Sequence, residues 1–150
     1  MHKARQAYTA LRRPVITEDG GFGFDELGGF PGSLAKAALS MLGLDGMTKV
    51  ADTTSTRSAR FRSAVSYVDH DGEHAFSSQG PAGQVASHPA TATRQGVWSS
   101  LWNIWIPPGA SIPVSAMGDR EYADYLVAWR SRSVFTQLGE WLRARREQAG

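Results

Sequence analysis

The stretch from Val15 to Gly32 constrains the fold more than any other part of this chain. Val15-Ile16-Thr17 is β-branched throughout and predicts a short strand. Glu18-Asp19 follows as an acidic pair at the strand end, and Gly20-Gly21 predicts a glycine turn. Gly28-Gly29-Phe30-Pro31-Gly32 is a rigidly punctuated loop. Beyond it, Leu34, Ala35, Ala38, Leu39, Met41 and Leu42 recur at helical spacing, as a buried stripe would. Ser33 is the expected N-cap, Gly43 the expected stop, and Asp45 opens a short second helix through Val50.

The flanking sequence supports one domain over residues 1–150. His2 to Leu11 predicts a helix with Ala4, Tyr8 and Leu11 on one face, ended by Pro14. Arg60 to Val68 alternates as a strand, Asp69-His70-Asp71-Gly72 predicts a hairpin turn, and Glu73 to Ser78 returns. Gly80-Pro81-Ala82-Gly83 turns the chain again before Gln84-Val85-Ala86. Trp98, Leu101, Trp102 and Trp105 follow helical spacing, but Ile104-Trp105-Ile106 before Pro107 reads equally as a strand end, so both assignments stand. Two late helices are marked by Tyr122, Leu126 and Trp129, and by Val134, Phe135, Leu138, Trp141 and Leu142. The basic tail, Arg143, Arg145 and Arg146, suits a helix C-terminus.

Composition narrows the classes of function. At 150 residues, 41% of them hydrophobic, the chain can bury a real core. Cysteine is absent, which excludes disulfides and thiolate zinc sites. The N-terminal residues lack the apolar run of a signal peptide, and Trp98 to Ile106 is far too short to cross a membrane. A cytoplasmic protein is expected. The net charge of +2 suits phosphate-bearing ligands and gives little ground for nucleic-acid binding.

Four groups of residues carry possible chemistry. Glu18 and Asp19 sit where α/β sheets commonly bind ligands, and carboxylates there can hold Mg²⁺ and orient water; an acidic surface turn is the alternative. Lys36 falls in the first helical turn after Pro31-Gly32, where a bound phosphate would resolve its conflict with the helix dipole. His2, His70, His74 and His88 show no ligand spacing beyond a turn-and-strand pair at 70 and 74, which reads as solvated imidazoles on a surface hairpin rather than a zinc site. Arg130 and Arg132 straddle the break between the last two helices, where an anion could sit.

Together these features resemble the inosine triphosphate pyrophosphatase family. The resemblance runs through Pro14-Val15-Ile16-Thr17-Glu18-Asp19-Gly20-Gly21-Phe22 and Asp25-Glu26-Leu27-Gly28-Gly29-Phe30-Pro31-Gly32, and is strongest over residues 3–43. It returns in Phe76 to Val85, in Ile106-Pro107-Pro108-Gly109 and in the closing helix pair. It implies an elongated α/β fold with a mixed twisted sheet flanked by helices, usually a homodimer. The implied activity is Mg²⁺-dependent cleavage of non-standard purine nucleoside triphosphates (inosine, xanthosine and deoxyinosine triphosphate) to monophosphate and pyrophosphate.

Carried over by position, Asp19 is the catalytic carboxylate that binds metal and activates water, with Glu18 beside it. Lys3 and Lys36 fall where relatives contact phosphate or substrate. Gly20 stands in place of a usual polar residue. Trp102-Asn103 stands for an aromatic-Asp-Pro segment, and Arg130-Ser131-Arg132 for a Ser-His-Arg segment. Family members begin with a strand and a Thr-Gly-Asn phosphate loop that this sequence lacks. Weak triphosphate binding and poor turnover are therefore expected, with an exposed sheet edge or apolar groove favouring self-association. Two functions remain open: the pyrophosphohydrolase, and a weak or inactive relative serving as a nucleotide-binding or dimerisation module.

Overall fold

A computed structural model describes residues 1–91 and 94–148. Among the described residues, four α-helices and six strands follow in the order α1 (His2–Leu11), β1 (Val15–Phe24), β2 (Pro31–Gly32), α2 (Ala35–Ala51), β3 (Ser58–Asp69), β4 (Gly72–Gln79), β5 (Gly83–Val85), β6 (Trp105–Ile106), α3 (Asp119–Ser131) and α4 (Val134–Gln148). Short 3-10 turns cover Asp25–Leu27, Ser100–Asn103 and Val114–Ala116. The hydrogen-bonded strand order is β2-β1-β3-β5-β6, with β4 also on β3. The pairs β1–β2, β3–β5 and β5–β6 are antiparallel. The α/β class is as the resemblance implies. No helix among the described residues is long and apolar enough to cross a membrane.

The expected turn at Gly20-Gly21 is instead strand: β1 continues for ten residues, to Phe24. Its glycines serve close approach rather than reversal. A Cβ on Gly23 would lie 2.1 Å from the carbonyl oxygen of Gly29, and one on Gly21 would lie 2.9 Å from that of Gly32. Only glycine lets the Leu27–Gly32 loop fold back onto its own strand. Gly28 and Gly29, at φ 62° and 86°, supply the left-handed backbone of that reversal.

The residues gather into two compact units. The first comprises Met1–Gly20, Ser63–Ser78 and Trp129–Gly150. Its core is Val65, Tyr67, Val134 and Leu138, with Phe76, Trp141 and Leu142 packed against them. The hairpin turn closes as predicted, because Asp69 Oδ1 accepts from the amides of Asp71 at 2.9 Å and Gly72 at 3.2 Å. Helix α1 also forms as predicted. It ends on Arg12, whose left-handed backbone (φ 52°) turns its N–H onto the Tyr8 carbonyl, two residues before Pro14.

The second unit comprises Gly21–Arg62 and Gln79–Ala128. Its core is aromatic: Phe22 lies 4.9 Å from Phe61, and Phe61 5.1 Å from Trp105, between ring centroids. The indole of Trp105 donates to the Ala59 carbonyl at 3.2 Å. The segment left open in the sequence resolves into a 3-10 turn over Ser100–Asn103, then β6.

Helix α2 departs from expectation twice. Its N-cap is Leu34, not Ser33, and no side chain caps it. Of the predicted stripe, Ala35 and Ala38 are buried, but Leu34, Met41 and Leu42 are exposed at 65%, 80% and 45%. Gly43, at φ 64° and ψ −177°, breaks the helix where a stop was predicted, and a second segment continues to Ala51.

The connection after α2 is held by Glu26. Its carboxylate accepts from the amides of Ser55 at 2.8 Å and Thr56 at 2.7 Å, and from the Thr56 hydroxyl. The Thr56 hydroxyl first, and then these amides, hold its pKa down at about 2, against an ordinary 4.5. A depressed carboxylate stabilises the fold fully above its unfolded pKa, and that contribution is lost as pH falls through the folded value. Glu26→Gln should therefore melt below the wild type at pH 7, with the gap closing between pH 4.5 and 2. Thermal melts of both proteins across that range check this; a gap independent of pH would show that the ionised carboxylate is not the source.

Candidate active site

The first unit brings together two of the predicted site residues. Lys3 lies one residue inside α1 and Asp19 on β1, and the Lys3 Nζ is 3.8 Å from the Asp19 Oδ1. Both side chains are open to solvent, at 73% and 60%. At that distance the pair is a loose electrostatic contact rather than a closed hydrogen bond, so the carboxylate keeps lone pairs for a ligand. An exposed ion pair of this kind contributes little to stability. The arrangement places a cation and a carboxylate, both accessible, side by side.

Glu18 is exposed too, but it adjoins Asp19 within a continuous strand. Successive side chains of a strand project to opposite faces, so the two carboxylates do not converge as they would at a turn. Asp19 is the one that faces Lys3. Gly20 follows in β1, partly exposed. A divalent cation of the Mg²⁺ type takes one or two carboxylates and completes its octahedron with water and substrate phosphates. Asp19 fits that donor set on its own.

A second acidic group competes on composition but not on chemistry. Asp69, His70 and Asp71 bring potential ligand atoms within 4.8 Å of one another. Arg145 already fills the space. Its Nη1 donates to Asp69 Oδ2 at 2.7 Å, and its Nη2 donates to Asp71 Oδ2. The Tyr67 hydroxyl donates to Asp69 Oδ2 at 3.0 Å, and the two turn amides occupy Oδ1. Burial pushes the Asp69 carboxyl up, yet Arg145, the Asp71 amide and Tyr67 together outweigh it and hold its pKa below the ordinary value. The guanidinium is the counterion here, and a metal would have to displace it. His74 is exposed, and one side of its ring lies 4.1 Å from that of Trp141. The sequence reading assigned Arg145 only to the helix dipole; the signal for its partners was the Asp-x-Asp-Gly turn.

In the second unit, Lys36 is exposed in the first turn of α2, as predicted. The helix start carries no side-chain cap, so its first amides are available to an anion. Trp102 and Asn103, also predicted substrate contacts, are buried. Trp102 is 1% exposed, with Tyr125 at 5.5 Å and Tyr122 and Trp98 each at 6.2 Å. Asn103 is buried with its Nδ2 on the Ser100 carbonyl at 2.9 Å, while its Oδ1 is buried without a hydrogen-bond partner. Arg130 and Arg132 are exposed at the α3–α4 junction, in the first unit. The junction is closed by backbone bonds, Ser133 N–H to the Arg130 carbonyl at 3.0 Å and Arg132 N–H to the Trp129 carbonyl at 3.3 Å.

Comparison with known proteins agrees with this architecture. The Ham1 family model matches residues 1–117. Among curated proteins, a dITP/XTP pyrophosphatase of Hyperthermus butylicus is 30% identical over 142 residues, 95% of this chain and 70% of its own length. An inosine triphosphate pyrophosphatase of Aspergillus fumigatus is 37% identical over 87 residues, 58% of this chain and 46% of its own. Two solved structures share the fold. A nucleoside-triphosphatase / dITP/XTP pyrophosphatase from Mycobacterium abscessus has a TM-score of 0.69 at 22% identity, covering 91% of this chain and 70% of that one. A HAM1 protein from Coxiella burnetii has a TM-score of 0.70 at 20% identity, covering 95% and 74%. The chain belongs to the Ham1 family.

Proposed function

We propose that this protein hydrolyses non-standard purine nucleoside triphosphates, such as inosine, xanthosine and deoxyinosine triphosphate, to the monophosphate and pyrophosphate. The observation that carries this reading is the extended match to a dITP/XTP pyrophosphatase across nearly the whole chain. The exposed Lys3–Asp19 pair agrees with it, since it offers a base and a cation at one point. In the reaction, water attacks the α-phosphorus and passes its proton to Asp19. The new bond is water oxygen to phosphorus, and the bond to the bridging oxygen breaks, releasing pyrophosphate. Lys3 offsets the charge that accumulates on the phosphate oxygens. In the second unit, Lys36 and the open amides of α2 are proposed as a phosphate contact of their own.

Mg²⁺ bound through Asp19 would supply charge neutralisation of the phosphates and a more acidic water. Arg130 and Arg132, both solvent-facing, are proposed as anion contacts. A cytoplasmic homodimer completes the proposal. One observation favours the second reading, a weak or inactive relative: Trp102 and Asn103 are packed into the core instead of presented to a base.

Product analysis separates pyrophosphohydrolysis from ordinary triphosphatase chemistry. Incubated with inosine triphosphate and Mg²⁺, the protein should release pyrophosphate as its first phosphorus-containing leaving product, read by ³¹P NMR. Orthophosphate appearing first would overturn the assignment.

A further inference from the structure

Helix α1 sits on the first unit with little apolar contact. Ala4 is its one buried residue, and a single methyl group anchors weakly. Ala7 and Tyr8 are half-buried, and the rest of the helix is exposed. No side chain caps its start at Met1, and ten residues are too few for a helix to persist on propensity alone. Yet Lys3, 3.8 Å from Asp19, lies in the first turn and depends on how that turn is held. Arg5 holds it. Its Nε donates to Glu73 Oε2 at 2.5 Å and its Nη2 donates to Oε1, a two-pronged contact between residues 68 positions apart. Successive residues of a helix are about 100° apart, so Lys3 and Arg5 flank buried Ala4 on either side. Lys3 reaches β1 and Arg5 reaches β4, and both strands are hydrogen-bonded to β3. The two contacts differ in kind. Lys3 and Asp19 meet loosely, whereas Arg5 and Glu73 close in the bidentate geometry that lets even an exposed pair restrict motion.

We infer that Arg5, clamped on Glu73, is a positioning residue for the reaction: it fixes the rotation of α1 that keeps Lys3 beside Asp19. The inference rests on the pyrophosphohydrolase reading above, in which Lys3 offsets charge on the phosphate oxygens. The Arg5 guanidinium is occupied by Glu73, so it bears on the substrate only through Lys3. Arg5 in turn holds the Glu73 carboxyl below its ordinary pKa, so the clamp stays charged at neutral pH. Without it, α1 is tied down by Ala4 and two half-buried side chains, and its first turn is free to fray or swivel. A misplaced cation then meets the phosphates in the wrong geometry, and rate is sensitive to such placement.

A mutant cycle on the whole chain, with inosine triphosphate and Mg²⁺ as the probe, tests the inference. Arg5→Ala keeps a good helix former at the position and removes the clamp, so kcat/KM should fall about tenfold, and Glu73→Gln should match it. In a Lys3→Ala background, Arg5→Ala should cost no further activity, because the residue through which it acts is gone. The exchanged pair Arg5→Glu/Glu73→Arg should recover more than half of the loss. A merely structural role would not produce that dependence on Lys3. A tenfold loss that persists without Lys3 would overturn the inference, as would an Arg5→Ala protein as active as the wild type. Amide hydrogen exchange reads the clamp without turnover: in Arg5→Ala the α1 amides should exchange roughly ten times faster than in the wild type, and unchanged exchange would also overturn it. A wild type that releases no pyrophosphate would bring down the pyrophosphohydrolase reading, while the exchange rates still decide whether Arg5 holds the helix.

Discussion

Asp19→Asn should reduce turnover of inosine triphosphate by about 10²–10⁴-fold while leaving the melting temperature nearly unchanged. Asparagine keeps the size and the strand position but cannot take a proton from water or offer a full negative charge to a cation. The fold does not depend on that charge. Asp19 is 60% exposed, and its ion-pair partner Lys3 stands at 3.8 Å, too far and too solvated to contribute much stability. Kinetics and stability should therefore separate cleanly. Parallel measurement of kcat/KM and thermal unfolding on wild type, Asp19→Asn and Glu18→Gln decides the roles of the two carboxylates. Because Glu18 projects from the opposite strand face, its variant should retain most of the activity. Equal losses in both variants would mean that the two act on one ion after all, and unchanged turnover in Asp19→Asn would move the chemistry elsewhere.

What the sequence showed plainly were features set by neighbours a few residues apart. Helix α1 follows from its apolar spacing and from Pro14, and the β3–β4 hairpin from Asp69-His70-Asp71-Gly72, whose first carboxylate bonds the turn amides locally. The kink at Gly43 was likewise visible as a glycine between two helical patterns. What it hid were features decided by distant backbone. Gly20-Gly21 looks like a turn in isolation. It is strand because the Leu27–Gly32 loop returns against β1, close enough that a Cβ at Gly21 or Gly23 would collide with it. Leu34 and Met41 look buried because periodicity records which residues avoid water, without recording whether the same chain covers them. The Arg145 clamp on Asp69 and Asp71 joins residues more than seventy positions apart, and the Asp-x-Asp-Gly turn marks the carboxylates without indicating which arginine meets them. For the site, Lys3 and Asp19 were legible and are adjacent, whereas Trp102 and Asn103 were read as ligand contacts and prove to be packed inside.

Trp102→Ala should be among the most destabilising single changes in this chain, and it bears directly on that last point. The indole is 1% exposed and meets the rings of Tyr125, edge-on at 5.5 Å, and of Tyr122 and Trp98, each at 6.2 Å. Deleting a buried tryptophan removes its transfer energy and leaves a cavity that neighbouring rings, rigid and already packed on Phe61 and Trp105, can only partly fill. A loss of about 3–5 kcal/mol follows, a large share of the 5–15 kcal/mol that holds a domain of this size together. Each kcal/mol moves the midpoint of a chain this long by about 2–4 °C, so the melting temperature should fall by roughly 10–15 °C. Trp102→Phe discriminates a packing role from substrate recognition, since it restores most of the volume and the edge-to-face geometry without the indole N–H. It should recover more than half of the lost stability, and its KM for inosine triphosphate should stay near that of the wild type. A phenylalanine variant that melts like the wild type but shows a KM raised tenfold would place the indole in contact with the base, and the packing account of this residue would be wrong.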